Sequence, residues 1–153
     1  MSKRTVVGVA ALLGAVGCGG GGVSSTAHVT WKADGAALAA SVQRVEWDSD
    51  GVVDTFAFFA STATRSLQVE LSGSAPLSPA TFMCGRTPPE ALIGYQSGAQ
   101  AAALTAETCT IVLTQVGKTP DHPVTGTFEA TFANPDGGTI VFSDGTFRLP
   151  LRF

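Results

Sequence analysis

The run Val124-Thr125-Gly126-Thr127-Phe128-Glu129-Ala130-Thr131-Phe132 alternates without a break. Val124, Gly126, Phe128, Ala130 and Phe132 fall on one face, and Thr125, Thr127, Glu129 and Thr131 on the other. A period of two puts successive side chains on opposite faces of a strand, so this stretch reads as a β-strand with one face on a core. Its neighbours repeat the pattern. Cys109, Ile111 and Leu113 alternate with Thr110, Val112 and Thr114, and a polar turn from Gly117 to His122 joins the two runs. Asn134-Pro135-Asp136-Gly137-Gly138 reads as the next turn. Ile140 and Phe142 then point inward, Asp144-Gly145 reads as a two-residue hairpin, and Phe147, Leu149, Leu151 and Phe153 point inward again. In that hairpin Phe142 faces Phe147 and Ile140 faces Leu149, so the apolar pairs fall on one face, as a specified register requires. Pro150 cannot donate to a ladder, which predicts a sheet edge there.

Upstream, the β signal continues. His28 to Lys32 is a short β-prone run, closed by the hairpin turn Asp34-Gly35. Ala36 to Trp47 fits helical spacing through Leu38, Val42 and Val45. It also fits a strand from Leu38 to Trp47, and the strand reading is preferred because an Asp-Gly turn leads into it. Asp48-Ser49-Asp50-Gly51 turns, Val52 to Ala60 is a strand, and Leu67, Val69 and Leu71 alternate with Gln68 and Glu70. Ala80 to Cys84 reads as a short strand. Thr87-Pro88-Pro89-Glu90 has the form of a helix capping box, and Ala91 to Gln96 is the competing strand. Ser97 to Ala106 reads as loop or short helix. The expected fold is antiparallel all-β, a sandwich or flattened barrel of about 8–10 strands.

The N-terminus is a different kind of segment. Lys3-Arg4 precedes the apolar run Val6 to Val16, which ends in small residues before Cys18. That is the layout of a secretory signal. As a helix the run spans roughly 16 Å, and a bilayer core needs about 20 apolar residues, so a permanent spanning helix is not expected. Ala15-Val16-Gly17-Cys18 resembles a bacterial lipobox, with Ala15 where Leu is usual. The resemblance implies a leader over 1–17, palmitate-type lipidation of Cys18, a Gly/Ser-rich tether over 18–26 and a domain over 27–153. Gly17, Gly19 and Gly22 also satisfy G-x-G-x-x-G, but without the strand and helix that a dinucleotide site requires. Gly19 after the cysteine is similar to sorting signals that favour the outer membrane.

Composition narrows the function classes. The chain of 153 residues carries a formal charge of −3, and loss of Lys3 and Arg4 with the leader makes the exported part more acidic. Such a domain is a poor ligand for nucleic acid. Setting Cys18 aside leaves Cys84 and Cys109, which in an exported protein most simply form one disulfide, the alternative being two buried free thiols.

Cys109-Thr110-Ile111-Val112-Leu113-Thr114, Val124-Thr125-Gly126-Thr127-Phe128 and Ser143-Asp144-Gly145-Thr146-Phe147 together resemble a family of uncharacterised bacterial lipoproteins whose domains end in a pair of hairpins. Trp31-Lys32-Ala33-Asp34-Gly35 is similar to that family's opening turn. The resemblance is specific over residues 109–153. It implies an exported, lipid-anchored all-β domain and brings no catalytic residues.

Few residues suggest chemistry. His28 and His122 are the only histidines, and no H-E-x-x-H or G-x-S-x-G is present. Asp48, Asp50 and Asp54, with Glu46 nearby, are the acidic cluster and a candidate calcium turn, since hard cations take carboxylate oxygens from tight turns. A solvated hairpin is the plainer reading of the same residues. Trp31, Trp47 and Tyr95 are candidates for an aromatic platform for a glycan or peptide, against a plainer role in the core. The expected function is a non-catalytic binding or structural module of the envelope, with a membrane and an envelope protein or glycan as partners. The alternatives are an exported hydrolase with a loop-borne site and a calcium-stabilised adhesion-type module.

Overall fold

A computed structural model describes residues 22–23, 27–85, 90–98 and 102–152. The leader 1–17, Cys18, most of the 18–26 tether, Thr87-Pro88-Pro89 and Phe153 lie outside them. The described residues are all-β: β1 (Gly22–Val23), β2 (His28–Ala33), β3 (Ala36–Ser49), β4 (Val53–Ser61), β5 (Arg65–Ser74), β6 (Thr81–Cys84), β7 (Glu90–Ser97), β8 (Leu104–Thr105), β9 (Thr108–Gln115), β10 (Val124–Ala133), β11 (Thr139–Leu149) and β12 (Leu151–Arg152). Strands pair in the order β5-β4-β3-β2-β11-β10-β9-β6-β7, and β7 pairs back onto β5, which closes a nine-strand barrel. β8 is an extra strand on β7. All barrel pairings are antiparallel except β6–β7, where only Met83–Glu90 and Cys84–Ala91 face each other. Of the two architectures expected, the barrel is the one formed, and closure gives each of its nine strands a partner on both sides. Among the described residues no helix is long and apolar enough to cross a membrane.

Alternation decides which side chains fill the barrel. Phe56, Phe58, Leu67, Val69, Leu71, Ile93, Ile111, Phe128, Phe132, Phe142 and Leu149 are each 1 % exposed or less. The aromatic rings gather in two clusters in the interior. Trp47 meets Phe56 at 5.4 Å, Phe58 meets Phe147 at 5.1 Å, and Phe142 lies 4.9 Å from Tyr95 and 4.8 Å from Phe132. Asp34-Gly35 makes the tight β2–β3 hairpin with Ala33 opposite Ala36. Both residues have positive φ, 49° and 81°, as the hairpin turn that matches strand twist demands.

The C-terminal strand departs from the expected hairpin. β11 runs straight through Asp144-Gly145 and pairs with β10 on one side and β2 on the other. Both ladders shift register there: Phe128 faces Gly145 while Ala130 faces Phe142, and Thr146 faces Thr30 while Ser143 faces Lys32. Asp144, with φ 52°, is the left-handed residue of a β-bulge rather than of a turn. Phe142 and Phe147 are five residues apart and would face opposite sides of a regular strand. The one extra residue of β11 restores the inward side for both. Ile140 therefore faces Phe132, and Leu149 faces Val124, instead of each other. Pro150 marks no sheet edge. It is the break after which the chain leaves β11, and Leu151 folds back into the core at 1 % exposure. Glu90, expected in a capping box, opens β7, and the competing strand reading of Ala91 to Gln96 is the one realised.

Gly126 stands at an inward position where a side chain has no room. A Cβ there would lie 2.5 Å from Cζ of Phe147 and 2.5 Å from the Val112 carbonyl oxygen. The ring of Phe147 fills the space, and the β9 backbone cannot retreat. Gly126→Ala is expected to destabilise the domain by about 1–3 kcal/mol, read as a lower chemical-denaturation midpoint. An unchanged midpoint would show that the β9–β10 contact is looser than these distances.

Candidate functional site

The three aromatic candidates do not form a platform. Trp31 is 2 % and Tyr95 5 % exposed, and both pack on Phe142 inside the barrel, at 5.8 and 4.9 Å. Burial holds the Tyr95 hydroxyl above its ordinary pKa. Trp47 belongs to the other ring cluster, half-buried against Phe56, with Nζ of Lys118 4.4 Å over its ring. Inward alternation placed these rings in the core, as the plainer reading has it.

The acidic candidates are split by the same alternation. Asp48 faces Thr55 on the outer surface, whereas Ser49 faces Asp54 on the inner one, so Asp48 and Asp54 lie on opposite sides of the sheet. Asp50 sits in the β3–β4 turn, where its Oδ1 accepts from the backbone N–H groups of Val52 (2.8 Å) and Val53 (2.7 Å). Those bonds, Val53 first, lower its pKa. Asp54 is 4 % exposed. The Ser49 hydroxyl and the Leu77 N–H, which donates to Oδ2 at 2.8 Å, hold its carboxyl below the usual range. Among the described residues no three His, Cys, Asp or Glu side chains gather to hold a metal ion. The carboxylates of Asp50 and Asp54 serve as backbone caps, fixing the β3–β4 turn and the loop after β5.

Asp54→Ala leaves a buried N–H and a hydroxyl without their acceptor and is expected to cost about 2–3 kcal/mol. A depressed carboxylate pKa stabilises the fold above the unfolded value near 3.9 and loses that contribution as pH falls through the lower folded value. The gap between wild type and variant should therefore narrow only below about pH 4, in urea melts run across pH. A gap that stays constant down to pH 2 would refute the buried-carboxylate account.

Cys84 and Cys109 are disulfide-bonded, with Cα atoms 5.0 Å apart. The bond continues the β6–β9 ladder, in which Phe82 faces Ile111 and Met83 faces Thr110. Glu70, on the outer face of β5, is half-buried, and burial followed by the neighbouring Glu90 raises its pKa.

The surface that emerges is one the motifs did not mark. Thr30, Thr146, Thr127, Val112 and Thr81 stand side by side across β2, β11, β10, β9 and β6. They form a ladder of β-branched side chains on the outer face. Above it lies an open groove of about 490 Å³ lined by Thr110, Val112, Thr127, Glu129, Asp144 and Thr146. Lys32 pairs with Asp144 at 2.8 Å on its rim, which raises the lysine pKa. Within the ladder the Thr30 and Thr146 hydroxyls bond at 2.9 Å, and elsewhere on the outer face Thr114 pairs with Thr125 at 2.8 Å and Thr108 with Thr131. Hydroxyls tied in cross-strand pairs are hydrogen-bonding groups held in place by the ladder. The signal available in sequence was threonine at outward position after outward position; the bulges in β9 and β11 set which ones align. Comparison of the chain with protein-family models, with curated proteins and with solved structures returns no match.

Proposed function

We propose that the chain is a lipid-anchored protein of the bacterial envelope whose barrel is a non-catalytic binding or structural module. The observation that carries this reading is the division of the barrel between an interior filled by stacked aromatic and aliphatic side chains and an outer face of paired threonine hydroxyls. A filled barrel holds no small molecule inside, so recognition falls to the outside. The Cys84–Cys109 bond supports an oxidising, exported setting. Cys18, directly after the 1–17 leader, supplies the anchor, and an envelope protein or glycan is the partner class. A single acyl chain binds membranes only marginally, and stable attachment needs the multiple chains that a lipidated cysteine carries.

The test is expression of the full chain in a bacterium fed an alkyne fatty acid. Wild type is expected to take up the label and enter the detergent phase, and Cys18→Ser to do neither. An unlabelled wild-type chain that stays in the aqueous phase overturns the proposal.

A further inference from the structure

Resting on the Cys18 anchor proposed above, we infer that one particular end of the barrel, the end carrying the β3–β4 turn with Val52, faces the lipid surface. The up-and-down order of the strands places the β3–β4 turn, the loop after β5 and the β9–β10 loop at one end. Contacts bind them together there. Leu77 donates to Asp54, Ala75 N–H donates to the Val52 carbonyl at 2.9 Å, and Lys118 lies over Trp47. β11 finishes at this same end, where Leu149 faces Val124 at the close of the β9–β10 loop, and β12 follows after Pro150.

β1 is what fixes the geometry. Gly22 faces Arg152 and Val23 faces Leu151, so the chain is pinned to the barrel end well before the domain's first long strand. Without that pairing, the nine residues from Cys18 to Ala27 would reach about 30 Å. With it, only the four residues from Cys18 to Gly22 remain, a reach of at most about 14 Å. The barrel is longer than this leash. The ten residues of β5, at about 3.3 Å each and tilted by roughly 40°, rise about 25 Å. A barrel standing on the opposite end, with the Asp34-Gly35, Thr62–Thr64 and Asn134–Gly138 turns on the bilayer, would hold Gly22 farther from the lipid than this leash reaches. Val52, at the tip of the near end, is a 73 % exposed apolar side chain, suited to a headgroup boundary. The threonine face is left to the side and open to partners.

Three tryptophan variants test this: Val52→Trp at the near end, Ala63→Trp at the far end and Thr127→Trp on the ladder. Each is purified as the full lipidated chain, added to phosphatidylcholine vesicles carrying a headgroup nitroxide, and corrected for the quenching of Trp31 and Trp47 in wild type. Val52→Trp is expected to lose at least about half of its added fluorescence, and the other two less than about a tenth, given the ~25 Å between the ends. Inserting eight Gly/Ser residues between Cys18 and Gly22 should abolish the difference. Equal quenching of Val52→Trp and Ala63→Trp overturns the orientation, and so does stronger quenching at Thr127→Trp, the mark of a barrel lying on its side. Both leave the anchor standing. A wild-type chain that fails to float with the vesicles overturns the anchor and the orientation together.

Discussion

Replacing Phe142 with alanine lowers the unfolding free energy by about 3–5 kcal/mol, a large part of the roughly 5–15 kcal/mol that holds a domain of this size together. The ring is 1 % exposed and touches Trp31, Tyr95 and Phe132, which come from β2, β7 and β10. It joins strands that are distant in the chain, and it sits two residues before the bulge that keeps β11 in register with both neighbours. Truncation removes the transfer free energy of the ring and leaves a cavity whose walls are stiff aromatic rings, which cannot collapse into it. Phe142→Leu keeps most of the volume and should cost less than about 1.5 kcal/mol. Urea titrations followed by far-UV dichroism measure both. A Phe142→Ala loss below about 1.5 kcal/mol would mean that the barrel interior repacks freely.

How much of this was legible in the sequence depends on the range over which each feature is decided. The faces of β9 and β10 followed directly from alternation: Ile111, Leu113, Phe128 and Phe132 are all buried. The Asp34-Gly35 turn was readable because its chemistry is local, two positive-φ positions between short β runs. The same dipeptide at Asp144-Gly145 misled for an instructive reason. Two devices reverse the parity of inward positions between Phe142 and Phe147, a two-residue turn and a bulge, and both accept a left-handed residue followed by glycine. The choice is made by β2, which pairs with both halves of β11 and holds the strand extended. Closure was beyond reach for a similar reason. It rests on β5 meeting β7 and on β6 meeting β9, pairings set by how the strands tilt around the axis.

The candidate residues behaved the same way. Trp31 and Tyr95 obeyed the inward pattern that made them core. Asp48 and Asp54 are close in sequence, but the β3–β4 register separates them onto the two faces of one sheet. The threonine ladder was visible as a polar face. Its alignment was not, because Thr146 comes beside Thr127 and Thr30 only after the bulge has shifted β11.

Removing the disulfide, as Cys84→Ala with Cys109→Ala, destabilises the barrel by about 3–4 kcal/mol, the chain-entropy value for a loop of the 25 residues that separate the two cysteines. The position makes the loss local as well as global. β6 has four residues, and it is the only strand between β9 and the lower half of β7. It holds β7 through two facing pairs in parallel register, the shortest contact in the closed sheet. The bond welds Cys84 to Cys109, which is 6 % exposed and continuous with Ile111 and Leu113 in the core. Without it the β6–β7 seam is held by those pairs and by Phe82, whose ring packs against the backbone at Gly73. The seam should then become the lowest-energy opening of the barrel. Amide exchange at Cys84→Ala and Ala91 should accelerate well beyond exchange in the long β3–β4 and β10–β11 ladders, while the midpoint of guanidinium unfolding falls. A double variant that loses less than about 1 kcal/mol, or whose exchange rises uniformly in every strand, would show that the seam is closed by the ladder itself and that the bond adds nothing to it.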